Sequence, residues 1–260
     1  SCLFPGTFKP HPLWLVQDKT IIIFYVHNGQ PNTIQFDCIN NAFEEPRRID
    51  FSLLKVPTFD FSIQRVFVFQ GRLLIVKNTV QSDKSLLLTT NVTFSKLYPL
   101  TIDLPCDFLH NGITMFESTI YFFGGISFDN LKCHSRIFKL DLCLLKLTEI
   151  LVASPGLIPS PRCLSFVEVY NDDLFLASGH STFPFYEGWK TADDAWFFNL
   201  NSLCWKNFNV KSMRLSNIKH VSRDSNRVCI VHKPKNYEVY VIDLKNYGTC
   251  HWTASNAAWV

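Results

Sequence analysis

Short apolar runs alternate with polar turns along the whole chain. The clearest example is residues 112–151, where four such runs follow one another. The runs are too short for helices and are rich in Val, Ile, Leu and aromatic residues, which is the pattern of β-strands. Four consecutive strands joined by short turns predict one antiparallel sheet.

This unit of four runs repeats along the sequence. The second run of each copy begins at Thr20, Arg72, Thr119, Asp173 and Arg227. A spacing of roughly 50 residues is typical of proteins in which one supersecondary unit stacks on its copies. The sequence therefore predicts an all-β fold, a β-propeller with five four-stranded blades. The predicted blades are about 12–51, 63–103, 112–151, 163–210 and 218–255.

Polar residues between the runs match the chemistry of tight turns. Glu117 and Asp172 would attract attention as catalytic carboxylates, but both stand in hairpin turns that recur from unit to unit, so we interpret them as turn residues. In four units the third run closes on a short side chain that can accept a backbone hydrogen bond. These residues are Asp37, Asp141, Asn199 and Asp243. We interpret them as turn formers rather than ligands.

The third and fourth units resemble kelch repeats, in which a Gly-Gly doublet after the second strand accompanies an aromatic residue early in the fourth strand. The matching residues of the third unit are Tyr121, Gly124, Gly125 and Asp141. Those of the fourth unit are Pro159, Ser160, Pro161, Arg162, Gly179 and Trp205. The fifth unit keeps Asp243 and Trp252 but has His232 and Lys233 in place of the glycines, and the first two units lack the doublet.

The resemblance implies a diverged kelch propeller. Its expected structural residues are Gly124, Gly125, Gly179, Trp205 and Trp252, with both tryptophans buried between blades. The 260 residues are 47% hydrophobic and include 24 Phe, enough for one large core, so a single domain over 1–260 is predicted. We expect the ring to close by packing of the first blade on the fifth, or through a blade from another chain.

Composition restricts location and cofactors. No apolar stretch approaches the roughly 18 residues of a membrane helix, so no membrane association is predicted, while a chain that begins at Ser1 leaves a removed signal peptide open. Nine cysteines, an odd number without a C-x-x-C pair, are typical of free thiols in a reducing compartment. We therefore predict a cytoplasmic or nuclear protein without metal or cofactor.

Recognition is a more plausible function for this sequence than catalysis. It contains no Gly-rich phosphate loop, no G-x-S-x-G and no H-E-x-x-H, so we predict that it is not an enzyme. The longest predicted loop, 179–193, would emerge on the face that carries the other long loops. It contains the aromatic residues Phe183, Phe185, Tyr186 and Trp189. Aromatic side chains are favoured at interface hot spots, and the alternative is that two or three of these pack together within the loop.

The same predicted face carries basic residues suited to an acidic segment of a partner. They are Lys132, Arg136, Lys190 and Lys233. The first hypothesis is a protein-interaction module in a larger complex, such as a substrate receptor of a ubiquitin ligase, although no BTB, BACK or F-box segment is present. The second is an accessory kelch subunit of a nucleic-acid-processing complex such as a V(D)J-type recombinase, touching nucleic acid indirectly or weakly. A propeller enzyme is the third.

Overall fold

The structure is a computed structural model that describes most of the chain. The described residues are 13–17, 19–28, 30–54, 63–77, 87–91, 93–100, 102, 110–127, 130, 132–153, 157–170, 172–181, 191–192, 194–208, 218–223, 227–232, 237–243 and 248–254. Only the backbone is described for residues 13–17, 63 and 208 and for the strands after residue 217.

The described residues are almost entirely β-structure, as the apolar runs predict. The strands lie in five antiparallel sheets in chain order, and in four of these sheets each strand pairs with its neighbour in sequence. Sheet 1 contains β1 to β5, which are Leu13–Gln17, Thr20–His27, Gln30–Asp37, Ala42–Phe43 and Arg47–Arg48. Sheet 2 contains β6 to β9, which are Ile63–Phe69, Arg72–Lys77, Leu87–Thr90 and Leu97–Leu100. The helical stretch among the described residues is the short 3₁₀ turn Ser52–Leu54.

The remaining three sheets have four strands each. Sheet 3 contains β10 to β13, which are Gly112–Phe116, Thr119–Phe123, Ile137–Asp141 and Lys146–Ile150. Sheet 4 contains β14 to β17, which are Phe166–Tyr170, Asp173–Ala177, Ala195–Asn199 and Cys204–Phe208. Sheet 5 contains β18 to β21, which are Ile218–Arg223, Arg227–His232, Tyr237–Asp243 and Gly248–Ala254. Four four-stranded antiparallel sheets are compatible with a β-propeller.

Sheet 1 differs from the predicted four-stranded unit. Its last predicted run is divided into β4 and β5, which both pair with β3 at different places. Pro46 lies between them, and a proline has no N–H to donate to a strand ladder. The chain therefore leaves the sheet after Phe43 and rejoins it at Arg47, which makes this sheet five-stranded.

The first strand of sheet 4 begins later than the predicted boundary at residue 163. Cys163 forms only an isolated antiparallel bridge with His180, and Leu164 has a φ of 54°. A left-handed residue other than glycine is incompatible with extended strand geometry. β14 therefore starts at Phe166, and the residues before it are available for loop contacts.

The turn residues behave as their side-chain chemistry predicts. Gln70 and Gly71 have φ values of 49° and 71°, and the common two-residue hairpin turn requires a positive φ at both of its central residues. Asp37 accepts hydrogen bonds from the N–H groups of Ile39 and Asn40 at 2.8 and 3.2 Å. Asn199 does the same for Asn201 and Ser202. The interpretation of Asp37 and Asn199 as turn formers is confirmed.

The chain divides into two compact units, each with its own core. The first comprises residues 1–109 and 143–147, and the second comprises residues 110–142 and 148–260. In the first unit, buried residues of sheets 1 and 2 such as Phe24 and Ile75 share one cluster. In the second, Phe123 of sheet 3 packs with Trp196, Phe198 and Trp205 of sheet 4. No helix among the described residues has the length and apolar character of a membrane span.

Candidate functional site

Loops from sheets 3 and 4 meet in one group of segments, which we call the loop cluster. Its described residues are 124–127, 132–136, 159–165, 178–181, 191–192 and 194. Backbone hydrogen bonds join these segments: Gly125 donates to Arg162 at 2.9 Å, Arg162 to the carbonyl of His134 at 3.2 Å, and Cys163 to His180 at 2.9 Å. Since loop backbone groups that are paired in this way resist opening, the cluster is a stable base for surface side chains.

Glycines allow the backbone segments of the loop cluster to approach one another closely. Gly124 and Gly125 have φ values of 60° and 116°. A Cβ atom on Gly124 would lie 2.2 Å from the carbonyl oxygen of Arg162. Gly179 has a φ of 108°, and a Cβ atom there would lie 2.7 Å from Oγ of Ser165. Gly124 and Gly179 therefore need glycine for both backbone conformation and space, and Gly125 needs it for backbone conformation.

Replacing Gly124 with alanine should lower the free energy of unfolding by about 2–4 kcal/mol, because left-handed strain adds to a clash with the Arg162 carbonyl. Chemical denaturation measures this change. Gly71→Ala is the control, since Gly71 has a similar φ of 71° in a hairpin turn. This variant should show the effect of left-handed backbone strain, a loss of about 1–2 kcal/mol in the free energy of unfolding. Equal losses in the two variants would contradict the close packing described here.

Arg162 is the buried centre of the loop cluster. Its side chain is fully buried and forms a bidentate ion pair with Asp194. The same guanidinium donates to the carbonyls of Ser160 and Ser178 at 2.9 and 3.2 Å. The indole N–H of Trp196 donates to the Asp194 carboxylate at 2.7 Å. A buried charge needs such complete pairing, so this network links the entry to sheet 4 with the loop between β15 and β16.

Two of the predicted partner-binding residues are described, and they differ in environment. Lys132 is exposed at the end of a turn in which Ser127 donates to its carbonyl at 2.9 Å. Arg136 pairs with Glu149, with Nε 2.8 Å from Oε1, and its guanidinium lies 4.7 Å from the centre of the Phe138 ring. The hydrogen bond from Arg136 lowers the pKa of Glu149. Lys132 is thus available to a partner, whereas the charge of Arg136 is largely compensated.

Several predicted site residues lie outside the described residues. They are Phe183, Phe185, Tyr186, Trp189, Lys190 and Lys233. Trp252 lies in β21 opposite Val239, and only its backbone is described. On either side of the aromatic segment, His180 and Thr191 form an antiparallel bridge. Ala192 donates to the carbonyl of Gly179 at 2.9 Å, so both ends of that segment are fixed in the loop cluster.

His134 also belongs to this site, although it was not among the predicted partner-binding residues. Both ring nitrogens of His134 are buried without a hydrogen-bond partner among the described residues. Burial, followed by the nearby charge of Arg136, lowers the pKa of His134 to about 4. The imidazole is therefore neutral near pH 7 and adds no charge to the cluster. Its position beside Cys133 was visible in the sequence, but its burial was not.

Several ionisable side chains of the loop cluster are engaged in ion pairs and hydrogen bonds. Within the described part of the chain, no three or more His, Cys, Asp or Glu side chains form a group that could hold a metal ion. Arg136, Arg162 and Asp194 are engaged in ion pairs. Comparison with protein-family models finds no match to the chain, and comparison with curated proteins also finds none.

Proposed function

We propose that this chain is a kelch-type β-propeller of five blades that binds a partner protein on the loop cluster. The observation that carries the proposal is the His180–Thr191 bridge, which fixes both ends of a segment rich in aromatic residues. Anchors held on a preorganised base lose less conformational entropy on binding. The aromatic residues of this segment are the proposed anchors, and Lys132 is a further proposed contact.

The contacts among the kelch-like residues support the fold part of the proposal. The Gly124-Gly125 doublet contacts the lead-in residue Arg162 directly, through the N–H of Gly125. Trp205 is 6% exposed, and its ring centre lies 5.4 Å from that of Phe123. Gly125 and Trp205, two of the positions on which the resemblance rests, thus each make a contact between a residue of sheet 3 or its loop and a residue of sheet 4 or its loop.

The chemistry of the proposed surface favours a partner with an acidic segment. Lys132 is exposed, and Lys190 and Lys233 are the further basic residues that the sequence predicts for this face. Surface charges of this kind act mainly on the rate of association, whereas buried aromatic anchors determine how slowly the complex dissociates. The partner can be identified by affinity purification from the native source followed by mass spectrometry. Cullin or adaptor subunits would identify a ubiquitin-ligase receptor.

Replacing Trp189 with alanine should weaken partner binding by about 2 kcal/mol or more, because a large aromatic anchor is removed. The dissociation constant for the co-purified partner, measured by titration calorimetry, tests this. Tyr98→Ala is the matched control, since Tyr98 is an exposed aromatic residue in sheet 2, and it should leave the affinity unchanged. If Trp189→Ala instead lowers the melting temperature and leaves the affinity unchanged, the aromatic residues form a core within their own loop.

A salt titration separates this proposal from the nucleic-acid alternative. Binding through phosphates would make the logarithm of affinity fall with the logarithm of salt by about 0.9 per contact. We expect a shallow response, with Lys132→Glu slowing association and Lys139→Glu, in the exposed middle of β12, acting as its charge-matched control. A steep response together with co-purification of a nuclease or transposase would favour the accessory-subunit hypothesis instead.

A further inference from the structure

Two cysteines from separate segments meet inside the loop cluster. Cys133 lies between β11 and β12, and Cys163 lies before β14. The thiol of Cys133 donates to the carbonyl oxygen of His180 at 3.5 Å. The same oxygen accepts the N–H of Cys163 at 2.9 Å. One carbonyl group therefore holds the Cys133 side chain against the backbone of Cys163.

Both segments are fixed by backbone pairing. Cys133 forms an antiparallel bridge with Ile126, and Cys163 forms one with His180. His134, next to Cys133, donates to the carbonyl of Gly125 at 3.1 Å, and Gly125 donates to the carbonyl of Arg162, next to Cys163. Because a disulfide forms only between cysteines that are already close and suitably oriented, this bracing makes the pair suited to cross-linking.

The two thiols are unequal in access and in acidity. Cys163 is fully buried, whereas Cys133 is partly exposed. A hydrogen bond from the Cys163 thiol lowers the pKa of Cys133 and outweighs burial, which acts in the opposite direction. The same hydrogen bond, followed by burial, raises the pKa of Cys163. An oxidant from solvent therefore meets Cys133 first, and its lowered pKa gives Cys133 a larger fraction of the nucleophilic thiolate than it would otherwise have.

We propose that Cys133 and Cys163 are a modification site at which hydrogen peroxide forms a disulfide. The Cys133 thiol releases its proton, the thiolate attacks one peroxide oxygen, and the O–O bond breaks. Cys133 becomes a sulfenic acid, and the departing hydroxide takes up the released proton to give water. The Cys163 sulfur then attacks the Cys133 sulfur, its proton leaves with the hydroxyl group as a second water, and the S–S bond forms. Two thiols are oxidised and one peroxide is reduced to two waters.

The second step is favoured by the first. As a thiolate, Cys133 opposes ionisation of its neighbour by its negative charge. Conversion to the neutral sulfenic acid removes that charge, so Cys163 becomes easier to ionise. The Cys163 sulfur therefore attacks the Cys133 sulfur faster. Since Cys163 is buried beside the sulfenic acid, cross-linking competes well with further oxidation by peroxide from solvent. The product joins two loops of the cluster covalently.

Peptide mapping of the reduced, folded chain after hydrogen peroxide treatment tests the proposal. We expect one cross-linked peptide pair that contains Cys133 and Cys163, has lost two hydrogen atoms and is separated again by dithiothreitol. Cys133 should react faster than the exposed Cys38, because the lowered pKa of Cys133 enlarges its thiolate fraction. Cys38→Ser is the matched control and should give the same yield of cross-link.

A Cys163→Ser variant separates the two steps. Cys133 should then accumulate as a sulfenic acid that dimedone traps, with the circular dichroism spectrum of the parent as the check on folding. If this variant does not fold, the map of the unaltered chain decides alone. Oxidation of Cys133 to the sulfinic acid without cross-linking, a disulfide from Cys133 to another cysteine, or a rate no faster than that of Cys38 would each overturn the proposal.

Discussion

Replacing Asp194 with asparagine should lower the free energy of unfolding by about 3–5 kcal/mol, because it leaves the fully buried Arg162 charge without its counter-ion. Urea denaturation measures the loss. Asp172→Asn is the control, since Asp172 is an exposed turn residue and should change stability by less than about 0.5 kcal/mol. An Arg162→Met/Asp194→Asn double variant should be more stable than Asp194→Asn alone, because it removes the orphaned charge. Equal stability of the two variants would contradict this account.

The same ion pair predicts the direction of acid destabilisation. Burial raises the pKa of Asp194, but hydrogen bonds from Arg162 and Trp196 outweigh it and hold the pKa below its usual value. A carboxyl group with a depressed folded-state pKa contributes its full stability above the unfolded value, about 3.9, and loses it as pH falls through the folded value. The Asp194→Asn variant should therefore lose less stability than the parent chain when the pH is lowered from about 5 to 2.

Replacing Trp205 with alanine should cost about 3–5 kcal/mol of folding free energy, the range for removal of a buried aromatic side chain. The ring of Trp205 contacts Phe198 at 5.0 Å and Trp196 at 6.3 Å between ring centres, and it also contacts Phe123 of sheet 3. Its loss leaves a cavity that the adjacent strands cannot easily close. Thermal and urea unfolding both measure the effect.

Trp205→Phe is the matched control for the cavity. It keeps an aromatic ring against Phe123 and Phe198, and it removes an indole N–H that has no hydrogen-bond acceptor among the described residues. An unsatisfied buried donor is costly, so its removal offsets part of the lost volume. We expect Trp205→Phe to cost less than about 1.5 kcal/mol. A loss as large as that of Trp205→Ala would show that the indole group itself, rather than ring volume, stabilises this contact.

The sequence predicted the strands well because their signals are local. Apolar runs bounded by turn residues gave the β-strands of all five units, and four sheets have the predicted four strands. The exceptions also have local causes that were misjudged: Pro46 divides the last run of sheet 1, and the left-handed Leu164 delays β14. The kelch type, the partner and the single-domain organisation remain predictions.

The candidate site could be predicted only in part. Glycines at 124, 125 and 179 were visible from the kelch-like pattern, because special backbone conformations require that residue. Arg136 was predicted as a partner contact from its charge, and the structure shows in addition that it pairs with Glu149. Asp194 was not predicted as a site residue, but it is the counter-ion of Arg162. Charge is readable from the sequence, whereas the identity of the compensating group is not.

The sequence by itself determined the β-strands, their order and their turns, since alternation and turn chemistry act between residues close in the chain. The tertiary structure decided which distant groups meet: Arg162 with Asp194, Phe123 with Trp205, and Cys133 with Cys163. A charge, an aromatic ring or a thiol is buried only where packed sheets enclose it. That enclosed space exists only after the sheets have assembled, so no local pattern in the chain specifies it.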